Sequence, residues 1–451
     1  MSIVGPSWVA TDSETLETFS VDALKRDGHL PDVVVRPSNP EEIAAIARLC
    51  THERIPLVPR GAGTGYTGGA VPTLGGVVLS LERLNRILEI DVDNLLAVVE
   101  PYVINGDLQH AVEERGLCYP PDPASLAQST LGGNVAENAG GPRAFKYGTT
   151  KRYVLGLEVV LPTGVILLTG GRTVKNVVGY DLTSLIVGSE GTLAIVTKIV
   201  LRLVARPPAT MTLRATFASV EQAAAAVSGV IERGIEPATL ELIDRDSLDA
   251  VERFSAEKLA PPGTEAMLLI EIDGPASLLG EQLVDIGAVC RAHGALDVVQ
   301  ARTAAEREEL WRARRDLSLS LRGSAPVKLN HDVVVPKGRV PALFDVVQTL
   351  RRDLGVRVAC FGHAGDGNIH VNVLLDPADA DQVRRAHEAE RRLFEQVVGL
   401  GGAISGEHGI GFTKLPFVPL QLSPAEIDLM RRVKHAFDPA GILNPGKGIP
   451  E

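Results

Sequence analysis

Six of the ten histidines lie in the last third of the chain, and four of them, His331, His363, His370 and His408, are the candidates for chemistry with the nearby carboxylate and amide residues. The densest group is GHAGDGNIHVN, which ends at Asn372. Alternation along a strand puts His370 and Asn372 on one face, and the flexible loop before them can bring His363 alongside. Two imidazoles and an oxygen ligand suit zinc, manganese or iron better than calcium or magnesium. The spacing predicts a divalent metal site, with a core histidine beside a turn as the alternative.

A second segment, SGEHGIG, supplies the group that this metal site still lacks. Glu407 offers an anionic ligand, and His408, on a loop flanked by glycines, is free to approach a substrate. A histidine whose pKa lies near the working pH is well suited to proton transfer. The two segments together predict a metal centre with a histidine base, whereas the second segment alone would also fit a surface turn.

Gly-rich loops in the first half of the chain predict a different kind of site. The segment PRGAGTGYTGG has five glycines within nine residues, and glycine lets backbone N–H groups approach a phosphate closely. It matches neither a Rossmann nor a P-loop motif, and alone it would also fit a structural turn. A second stretch, TLGGNVAENAGG, is too polar for a core and is best explained by a ligand lying against it. Together they make a dinucleotide plausible.

The elements that must carry these loops begin with a strand, helix and strand over residues 31–59. Asn39 is placed as the N-cap of the helix, Pro40 as its first residue and Glu42 as its third. From there to Val204, short apolar strands alternate with Gly-rich turns, which is typical of a strand-rich α+β domain.

The pattern changes after the pair Pro207 and Pro208. Two β-α-β units follow, with helices predicted from Val220 to Arg233 and from Leu279 to His293. Units of this size predict a separate domain with a ferredoxin-like sheet and helices on one face.

Bulk properties set limits on what the chain can be. Its 451 residues exceed one ordinary core, so two or three domains are expected. A net charge of -11 argues against non-specific nucleic-acid binding. The amino terminus lacks a secretory pattern, and the apolar stretch from Leu182 to Val204 is interrupted by glycine and charged residues. We expect a cytoplasmic protein with reduced cysteines that reaches a membrane, if at all, through a partner.

The motifs carry a specific resemblance. PRGAGTGYTGG, PPDPAS, TLGGNVAENAGGP and VGSEGTLAIVT resemble the FAD-binding domain of the vanillyl-alcohol oxidase class, the PCMH-type domain. GHAGDGNIHVN and SGEHGIG resemble the C-terminal half of FAD-linked oxidases, a family that includes D-lactate dehydrogenases, the flavin subunit of glycolate oxidase and D-2-hydroxyglutarate dehydrogenases. The resemblance covers the chain from about residue 30 to Gly448, including the tail motif FDPAGILNPGK.

The resemblance implies an α+β fold with three parts. These are a two-subdomain PCMH-type FAD-binding domain over residues 1–208, a ferredoxin-like substrate (cap) domain over residues 209–415, and a C-terminal helical segment, residues 416–451, that returns to the FAD domain. The FAD is expected to be non-covalent, because the first loop lacks the histidine that bonds covalently to flavin in some members.

The cofactor residues that the resemblance implies lie in both Gly-rich loops and beyond. Those expected to line the pyrophosphate are Arg60, Gly61, Ala62, Gly63, Thr64, Gly65, Gly68 and Gly69. Those expected at other parts of the cofactor are Asp122, Ser125, Gly132, Gly133, Asn134 and Asn138, then Glu190, Gly191, Ile195 and Val196 near the adenine, and Asn444 in the tail.

The same resemblance assigns the metal and the base. It implies three ligands of a divalent metal, Zn²⁺ with Mn²⁺ or Fe²⁺ as alternatives, namely His363, His370 and Glu407. Asn372 is implied to lie beside the metal or the substrate, and His408 to be the catalytic base.

The substrate carboxylate is assigned to a charged helix and the strand after it. Arg314 is implied to form a forked pair with the carboxylate, for which a planar guanidinium is well shaped. Lys328 adds a second positive charge, and Ser318, one turn after Arg314, adds a hydrogen bond. For Arg314 alone, a solvated helix face is the alternative. The resemblance gives no role to His331.

The implied reaction is the FAD-dependent oxidation of a D-2-hydroxy acid, of the D-lactate, glycolate or D-2-hydroxyglutarate class, to the 2-oxo acid. A metal on the substrate hydroxyl would lower its pKa, as it does for water from about 15.7 to about 7, and His408 would take the proton while hydride passes from C2 to flavin N5. An O₂-using oxidase would share every motif. A flavin subunit of a multi-subunit glycolate oxidase-like complex is a further alternative.

The partners expected from this reaction are a 2-hydroxy acid and an electron acceptor. The acceptor could be a quinone, a cytochrome, an electron-transfer flavoprotein or an iron–sulfur subunit. No nucleic-acid partner is expected, and a homodimer is left open.

Overall fold

The computed structural model describes residues 3–25, 28–256 and 258–450, which form two compact units. The first comprises the chain as far as Gly140, Gly148–Arg206 and the chain from Glu407 onward, and the second comprises Gly141–Tyr147 and Pro207–Gly406. The predicted boundary after residue 208 lies two residues from the observed one. Residues 407–415, expected in the cap domain, lie in the first unit instead.

Strands and helices are mixed along the described residues. The strands are β1 (Val9–Ala10), β2 (Val33–Val35), β3 (Leu57–Arg60), β4 (Val77–Ser80), β5 (Ile87–Asp91), β6 (Leu96–Val99), β7 (Leu117–Cys118), β8 (Val154–Val160), β9 (Ile166–Gly170), β10 (Ile195–Arg202), β11 (Val204–Ala205), β12 (Ala209–Phe217), β13 (Thr239–Asp244), β14 (Ala266–Gly274), β15 (Ala295–Gln300), β16 (Val327–Val334), β17 (Arg357–His363) and β18 (Asn368–Leu375). The helices are α1 (Ser13–Phe19), α2 (Pro40–Glu53), α3 (Asn105–Glu113), α4 (Leu131–Glu137), α5 (Ala144–Tyr147), α6 (Leu182–Ile186), α7 (Val220–Glu232), α8 (Arg245–Ser255), α9 (Ala276–Ala292), α10 (Ala304–Arg322), α11 (Val340–Leu354), α12 (Ala380–Gly399), α13 (Val418–Gln421) and α14 (Pro424–Phe437). Within the described residues, no helix combines the length and the apolar character needed to cross a membrane.

The first unit holds a four-stranded sheet in the order β1-β2-β4-β3 and a five-stranded sheet in the order β5-β6-β10-β8-β9. Helix α2 begins as predicted, with Pro40 in its first turn and the Asn39 side chain accepting a hydrogen bond from the Glu42 N–H at 2.9 Å. Its apolar face is buried against strands β3 and β4, where Leu57 and Leu79 are fully covered. This βαβ arrangement fixes the start of the first Gly-rich loop at the end of β3.

The tail of the chain packs into the first unit. Leu443 forms a parallel bridge with Leu57 on β3. The Asn444 side chain donates to the carbonyl oxygens of Gly69 at 2.9 Å and Glu190 at 2.7 Å. The tail motif therefore braces the end of the first Gly-rich loop.

The second unit is built on one seven-stranded sheet in the order β15-β12-β14-β13-β17-β18-β16. Strands β12 to β15 with helices α7 and α9 have the antiparallel ferredoxin-like order that the two β-α-β units predict. Strands β17, β18 and β16 extend this sheet by antiparallel pairing.

Helices α7 and α9, those of the two predicted β-α-β units, pack against each other, with Gly229 beside Val289, but further helices cover the other face of the sheet. Helices α8 and α10 form a core cluster with Ile243, Met267 and Phe361, whereas α9 contacts Leu213, whose neighbours across the strands are Ile270 and then Leu240. Since Leu240 and Ile243 lie on opposite faces of β13 by alternation, both faces are covered. The face beneath α8 and α10 carries the polar residues described next.

Residues 141–147 belong to the second unit although first-unit sequence precedes and follows them. The Tyr147 hydroxyl donates to Asp273 Oδ2 at 2.7 Å, and Lys146 Nζ donates to the carbonyl oxygen of Asp273 at 2.9 Å and forms an ion pair with its carboxylate. Phe145 lies against Gly365, where an added Cβ would come within 2.8 Å of the phenyl ring.

Candidate active site

One face of the seven-stranded sheet carries the two histidines of the GHAGDGNIHVN segment, His363 and His370. Asp332 on β16 lies opposite His370 on β18, and Asn330 lies opposite Asn372. On the other side of β18, His370 lies opposite Phe361 on β17. Residues directly opposite each other point to the same side of a sheet, so these side chains share one face.

The two imidazoles lie close together on this face. The ring centroids of His363 and His370 are 5.4 Å apart, with an interplanar angle of 86°. Nδ1 of His370 is 3.7 Å from Oδ1 of Asp332, whose carboxylate also accepts the Asn368 amide at 2.7 Å and the Gly406 backbone N–H at 2.9 Å. The structure thus places His363 and His370 side by side, with a buried aspartate next to His370.

Glu241 on β13 is a site residue that sequence reasoning missed. Its side chain is fully buried, with Oε1 at 2.5 Å from Nδ1 of His363 and Oε2 bonded to Nε of Arg314. Burial would raise the pKa of Glu241, but the charge of Arg314, together with the hydrogen bonds from His363 and Arg314, outweighs it and lowers the pKa to about 2. A carboxylate can only accept, so Nδ1 of His363 is the donor and Nε2 is the nitrogen that carries the lone pair.

Arg314 is buried rather than solvated, so the alternative of a free helix face does not apply. Its guanidinium lies over the Phe361 ring, 4.9 Å from the centroid, and its Nε is bonded to Glu241. Within the described residues its two Nη groups make no hydrogen bond. These groups are therefore the part of Arg314 that can meet a substrate carboxylate.

Lys328 and Ser318, predicted to act together, are in contact. Lys328 Nζ donates to Ser318 Oγ at 3.0 Å, which joins β16 to α10. Burial, with a contribution from the nearby Arg322 charge, lowers the pKa of Lys328 to about 8. At neutral pH the ammonium group is charged and little hydrated, which favours binding of an anion.

His331, to which the resemblance gives no role, belongs to the other face of β16. Its Nδ1 is 3.5 Å from Oε1 of Glu390 on α12, and its ring meets Phe394 edge-on with centroids 5.4 Å apart. Its neighbour Asp332 points to the polar face by alternation. His331 therefore packs β16 against α12 and is separate from the histidine pair.

The polar face has the properties of a cation site. Oδ1 of Asn372 and Oδ1 of Asn330 are buried and have no hydrogen-bond partner among the described residues. The Asn372 amide nitrogen donates to the backbone oxygens of Ala359 and His370, at 3.2 and 3.0 Å, which fixes the direction of its oxygen. Buried acceptors without donors are costly unless a ligand meets them, and imidazole nitrogens with oxygens are the donors that zinc, manganese or iron prefer. The residues of this unit fit such a group.

In the first unit, residues 407–411 of the SGEHGIG motif lie against the first Gly-rich loop. The Thr67 hydroxyl donates to the His408 carbonyl oxygen at 3.0 Å, and the Tyr66 and His408 rings are 5.5 Å apart. His408 Nε2 is 4.0 Å from Oε1 of Glu407, and both side chains are partly exposed, at 18% and 15%. The imidazole predicted to act as the base is therefore held beside the loop and accessible.

A pair of buried carboxylates supports this loop. Glu190 accepts the backbone N–H groups of Ile410 and Gly411 at 2.8 and 2.6 Å, so its carboxylate anchors the loop after His408. Oε2 of Glu137 is buried without a hydrogen-bond partner among the described residues. Burial, reinforced by the charges of Glu190 and Asp22, raises the pKa of Glu137 well above its usual value. Sequence reasoning missed Glu137, although a lone acidic residue among TLGGNVAENAGG was the available signal.

The side chain of Arg60 holds the predicted pyrophosphate loop in place through hydrogen bonds to backbone carbonyl oxygens. Its guanidinium donates to the carbonyl oxygens of Phe19, Val21 and Ala70 at 3.2, 2.8 and 3.3 Å, so it ties the loop to an earlier part of the chain. Gly68 has φ of +81°, and an added Cβ would come within 2.1 Å of Phe412. The side chain of Arg60 is thus used internally, and the backbone is the part of this loop available to a phosphate.

Two observations favour a ligand against these loops. An added Cβ at Gly65 would meet nothing within 4 Å, so the middle of the loop borders open space. The amide nitrogen of Asn134, in α4, is buried without a partner among the described residues. Open space beside a glycine and an unsatisfied buried donor fit an acceptor-rich ligand such as the pyrophosphate of a dinucleotide.

The remaining predicted cofactor residues fall into three groups. Asp122 and Ser125 lie in the loop between β7 and α4. Gly132 lies on Pro101, Gly133 donates to the Thr130 cap, and Asn138 ends α4 in a left-handed conformation. Ile195 and Val196 are buried in β10, and Gly191, with φ of +65°, precedes that strand.

The strand-rich unit with its Gly-rich loops and the ferredoxin-like unit with its histidine face define a flavin-dependent oxidoreductase. Residues 31–170 match the family model described as FAD binding domain, and residues 206–448 match the model described as FAD linked oxidases, C-terminal domain. The chain belongs to the FAD-linked oxidase family.

Curated relatives and solved structures agree with this. The chain is 43% identical over 429 residues to glycolate oxidase subunit GlcD of Bacillus subtilis (strain 168), covering 95% of this chain and 91% of the relative. It is 36% identical over 455 residues to D-lactate dehydrogenase of Anaerostipes hadrus, covering 98% and 95%. It superposes on p-cresol methylhydroxylase with a TM-score of 0.83 at 18% identity, covering 100% of this chain and 95% of the other, which confirms the predicted PCMH-type fold.

Proposed function

We propose that this enzyme oxidises a D-2-hydroxy acid to the 2-oxo acid with non-covalent FAD and a divalent cation. The observation that carries the proposal is the polar face of the second unit. There His363, His370 and Asn372 share one side of the sheet with two cationic side chains that can bind an anion, Arg314 and Lys328. The names of two relatives, a D-lactate dehydrogenase and a glycolate oxidase subunit, support the substrate class.

The substrate carboxylate is bound by the groups that remain unused within the second unit. The Nη groups of Arg314 offer a planar fork, and the Lys328 ammonium with the Ser318 hydroxyl adds a charge-assisted contact. A carboxylate held in this way leaves its α-hydroxyl to face the histidines.

The cation would be held by His363 and His370, with Glu407 as the anionic ligand and Asn372 beside it. Glu407 and His408 belong to the first unit, and their assignment comes from the SGEHGIG motif. When bound, the cation would supply positive charge that favours loss of the hydroxyl proton, and FAD would supply the acceptor for the hydride of C2. His408 receives the hydroxyl proton, for which an accessible imidazole is suited.

The test is anaerobic bleaching of the bound flavin by D- and L-2-hydroxy acids, with and without a chelator. We expect bleaching by D-enantiomers or by glycolate, little bleaching by L-enantiomers, and a loss of bleaching after chelation that added Zn²⁺ or Mn²⁺ restores. If chelation does not change the bleaching, the requirement for a divalent cation is refuted. If no hydroxy acid bleaches the flavin, the substrate class is refuted.

A second candidate is that the chain is the flavin subunit of a multi-subunit complex. It is favoured by the 43% identity to a relative named as a subunit of glycolate oxidase. The two candidates share the oxidation of the hydroxy acid and differ in the acceptor. Turnover by the purified chain with a soluble dye but not with O₂ would favour a separate electron acceptor over an oxidase.

A further inference from the structure

One carboxylate on the polar face contacts both a proposed metal ligand and a proposed substrate-binding residue. Glu241 uses Oε1 for Nδ1 of His363, at 2.5 Å, and Oε2 for Nε of Arg314. The three residues come from β13, β17 and α10, and Glu241 is 0% exposed. Among the described residues, His363 and Arg314 are its only hydrogen-bond or ion-pair partners from side chains.

Each contact fixes the orientation of its partner. Because the carboxylate accepts from Nδ1, His363 is held as the tautomer whose Nε2 carries the lone pair, and its ring cannot rotate without breaking this bond. Because Nε of Arg314 is occupied, the guanidinium plane is fixed with its Nη groups turned toward other partners. The Phe361 ring, 4.9 Å from the guanidinium carbon, holds the same plane from one side.

We infer that Glu241 is a positioning residue that prepares the cation site and the carboxylate site together, an inference that rests on the proposed function. Histidine ligands generally donate their second N–H to a carboxylate, and loss of that partner weakens metal binding. Here the same carboxylate also orients the arginine. A change at Glu241 should therefore weaken cation binding and substrate binding at once, although Glu241 touches neither ligand.

The sheet provides a matched control in Glu271 on β14. Glu271 is also buried, at 7% exposed, and its carboxylate also contacts α10, accepting from Trp311 Nε1 at 2.8 Å and from Thr212 Oγ1 at 2.8 Å. Both of these bonds go to the same oxygen, Oε2, so a glutamine at position 271 can keep both. Glu241 uses two oxygens, so a glutamine there keeps only one.

The experiment compares Glu241→Gln and Glu271→Gln as FAD-loaded proteins. The measurements are the Zn²⁺ Kd by chelator competition and the KM and kcat for the best 2-hydroxy acid. We expect E241Q to raise the Zn²⁺ Kd by about 10-fold to 100-fold and to raise KM, with the flavin absorption spectrum retained. E271Q should stay within about twofold of the parent in both values, since its hydrogen bonds persist.

Two outcomes would overturn the inference, and they differ from failure of the proposed function. If E241Q bound Zn²⁺ as tightly as the parent, or if E271Q weakened binding equally, Glu241 would have only a structural role. A parent that binds no Zn²⁺ would overturn the cation site itself.

If E241Q does not fold, Arg314→Gln provides the test, because it keeps the bond from Glu241 to His363. This variant should raise KM and leave the Zn²⁺ Kd unchanged. A parallel rise in Kd would contradict the inference.

Discussion

His363 and His370 lie on adjacent antiparallel strands with their rings nearly perpendicular and 5.4 Å apart. Their strands are joined by the four-residue segment between His363 and Asn368. The two histidines are therefore close in sequence and are held by two directly paired strands. The geometry leads to predictions about the metal, the base, the substrate anion and the loop that carries the base.

Removing either imidazole should remove the cation. We expect His363→Ala or His370→Ala to lower Zn²⁺ affinity by at least about 100-fold, more than an outer-shell change would, and to abolish flavin reduction. The check is metal content by elemental mass spectrometry after dialysis. His331→Gln is the control, because His331 contacts Glu390 on the other face of the sheet. Full metal occupancy in His363→Ala would contradict the assignment.

Replacing the predicted base should slow chemistry without releasing the cofactor. We expect His408→Asn to lower the rate of anaerobic flavin reduction by about 10² to 10⁴, the usual contribution of a positioned base. The loop should survive, since its anchors to Thr67 and Glu190 are made through backbone groups. Stopped-flow reduction is the measurement, with the exposed His52→Asn as control. A parental rate in His408→Asn would exclude the imidazole as the base.

Substrate affinity should depend on the Lys328 charge. Burial first, then Arg322, lowers the pKa of this group to about 8, so it carries its charge below pH 8 and loses it as pH rises through that value. KM for the anionic substrate should therefore rise above pH 8, by about tenfold or more if one charge-assisted hydrogen bond of about 1.5–3 kcal/mol is lost. Steady-state KM between pH 6.5 and 9.5 is the measurement.

The control for this pH dependence is Lys328→Arg, since a guanidinium stays protonated throughout the range. Its KM should be nearly flat with pH, whatever its absolute value. The same rise in KM in Lys328→Arg as in the parent would assign the titration to another group.

Ionisation of Glu137 should destabilise the folded protein. Burial, then Glu190 and Asp22, raises its pKa, so its favourable contribution is complete below about pH 4.5 and is lost as pH rises through the folded-state pKa. Glu137→Gln, which cannot ionise, should have a Tm higher than the parent by about 2 °C or more at pH 8–9, and a smaller difference at pH 5. Scanning calorimetry across this range is the check, with exposed Glu53→Gln as control. A lower Tm for Glu137→Gln at every pH would mean that the ionised carboxylate has a stabilising partner.

Features encoded locally in the sequence were predictable. The N-cap at Asn39 and the helix after Pro40 follow from a few adjacent residues, and the structure confirms both. The meeting of His363 and His370 follows from a short turn between two strands, and the ferredoxin-like order follows from two repeated β-α-β units.

Features that depend on long-range pairing were not predictable. Glu241 and His363 are 122 residues apart, and they meet only because β13 pairs with β17, which no local pattern specifies. The apolar strand TLELID contains two acidic side chains, Glu241 in its middle and Asp244 at its end, and a charge in the middle of a buried strand was the only signal. Similarly, the binding of the SGEHGIG loop to Glu190 spans 220 residues.

Residues 141–147 have a consequence for how the molecule can be divided. A gene fragment ending at Gly406 and starting at Pro207 would appear to encode a complete sheet, yet it would lack Lys146 and Tyr147, the partners of Asp273, and the phenyl ring beside Gly365. The turn between His363 and Asn368 would lose its contact with Phe145, which lies more than 200 residues earlier in the sequence. A chimaera that exchanges Pro207–Gly406 between relatives should therefore also exchange residues 141–147.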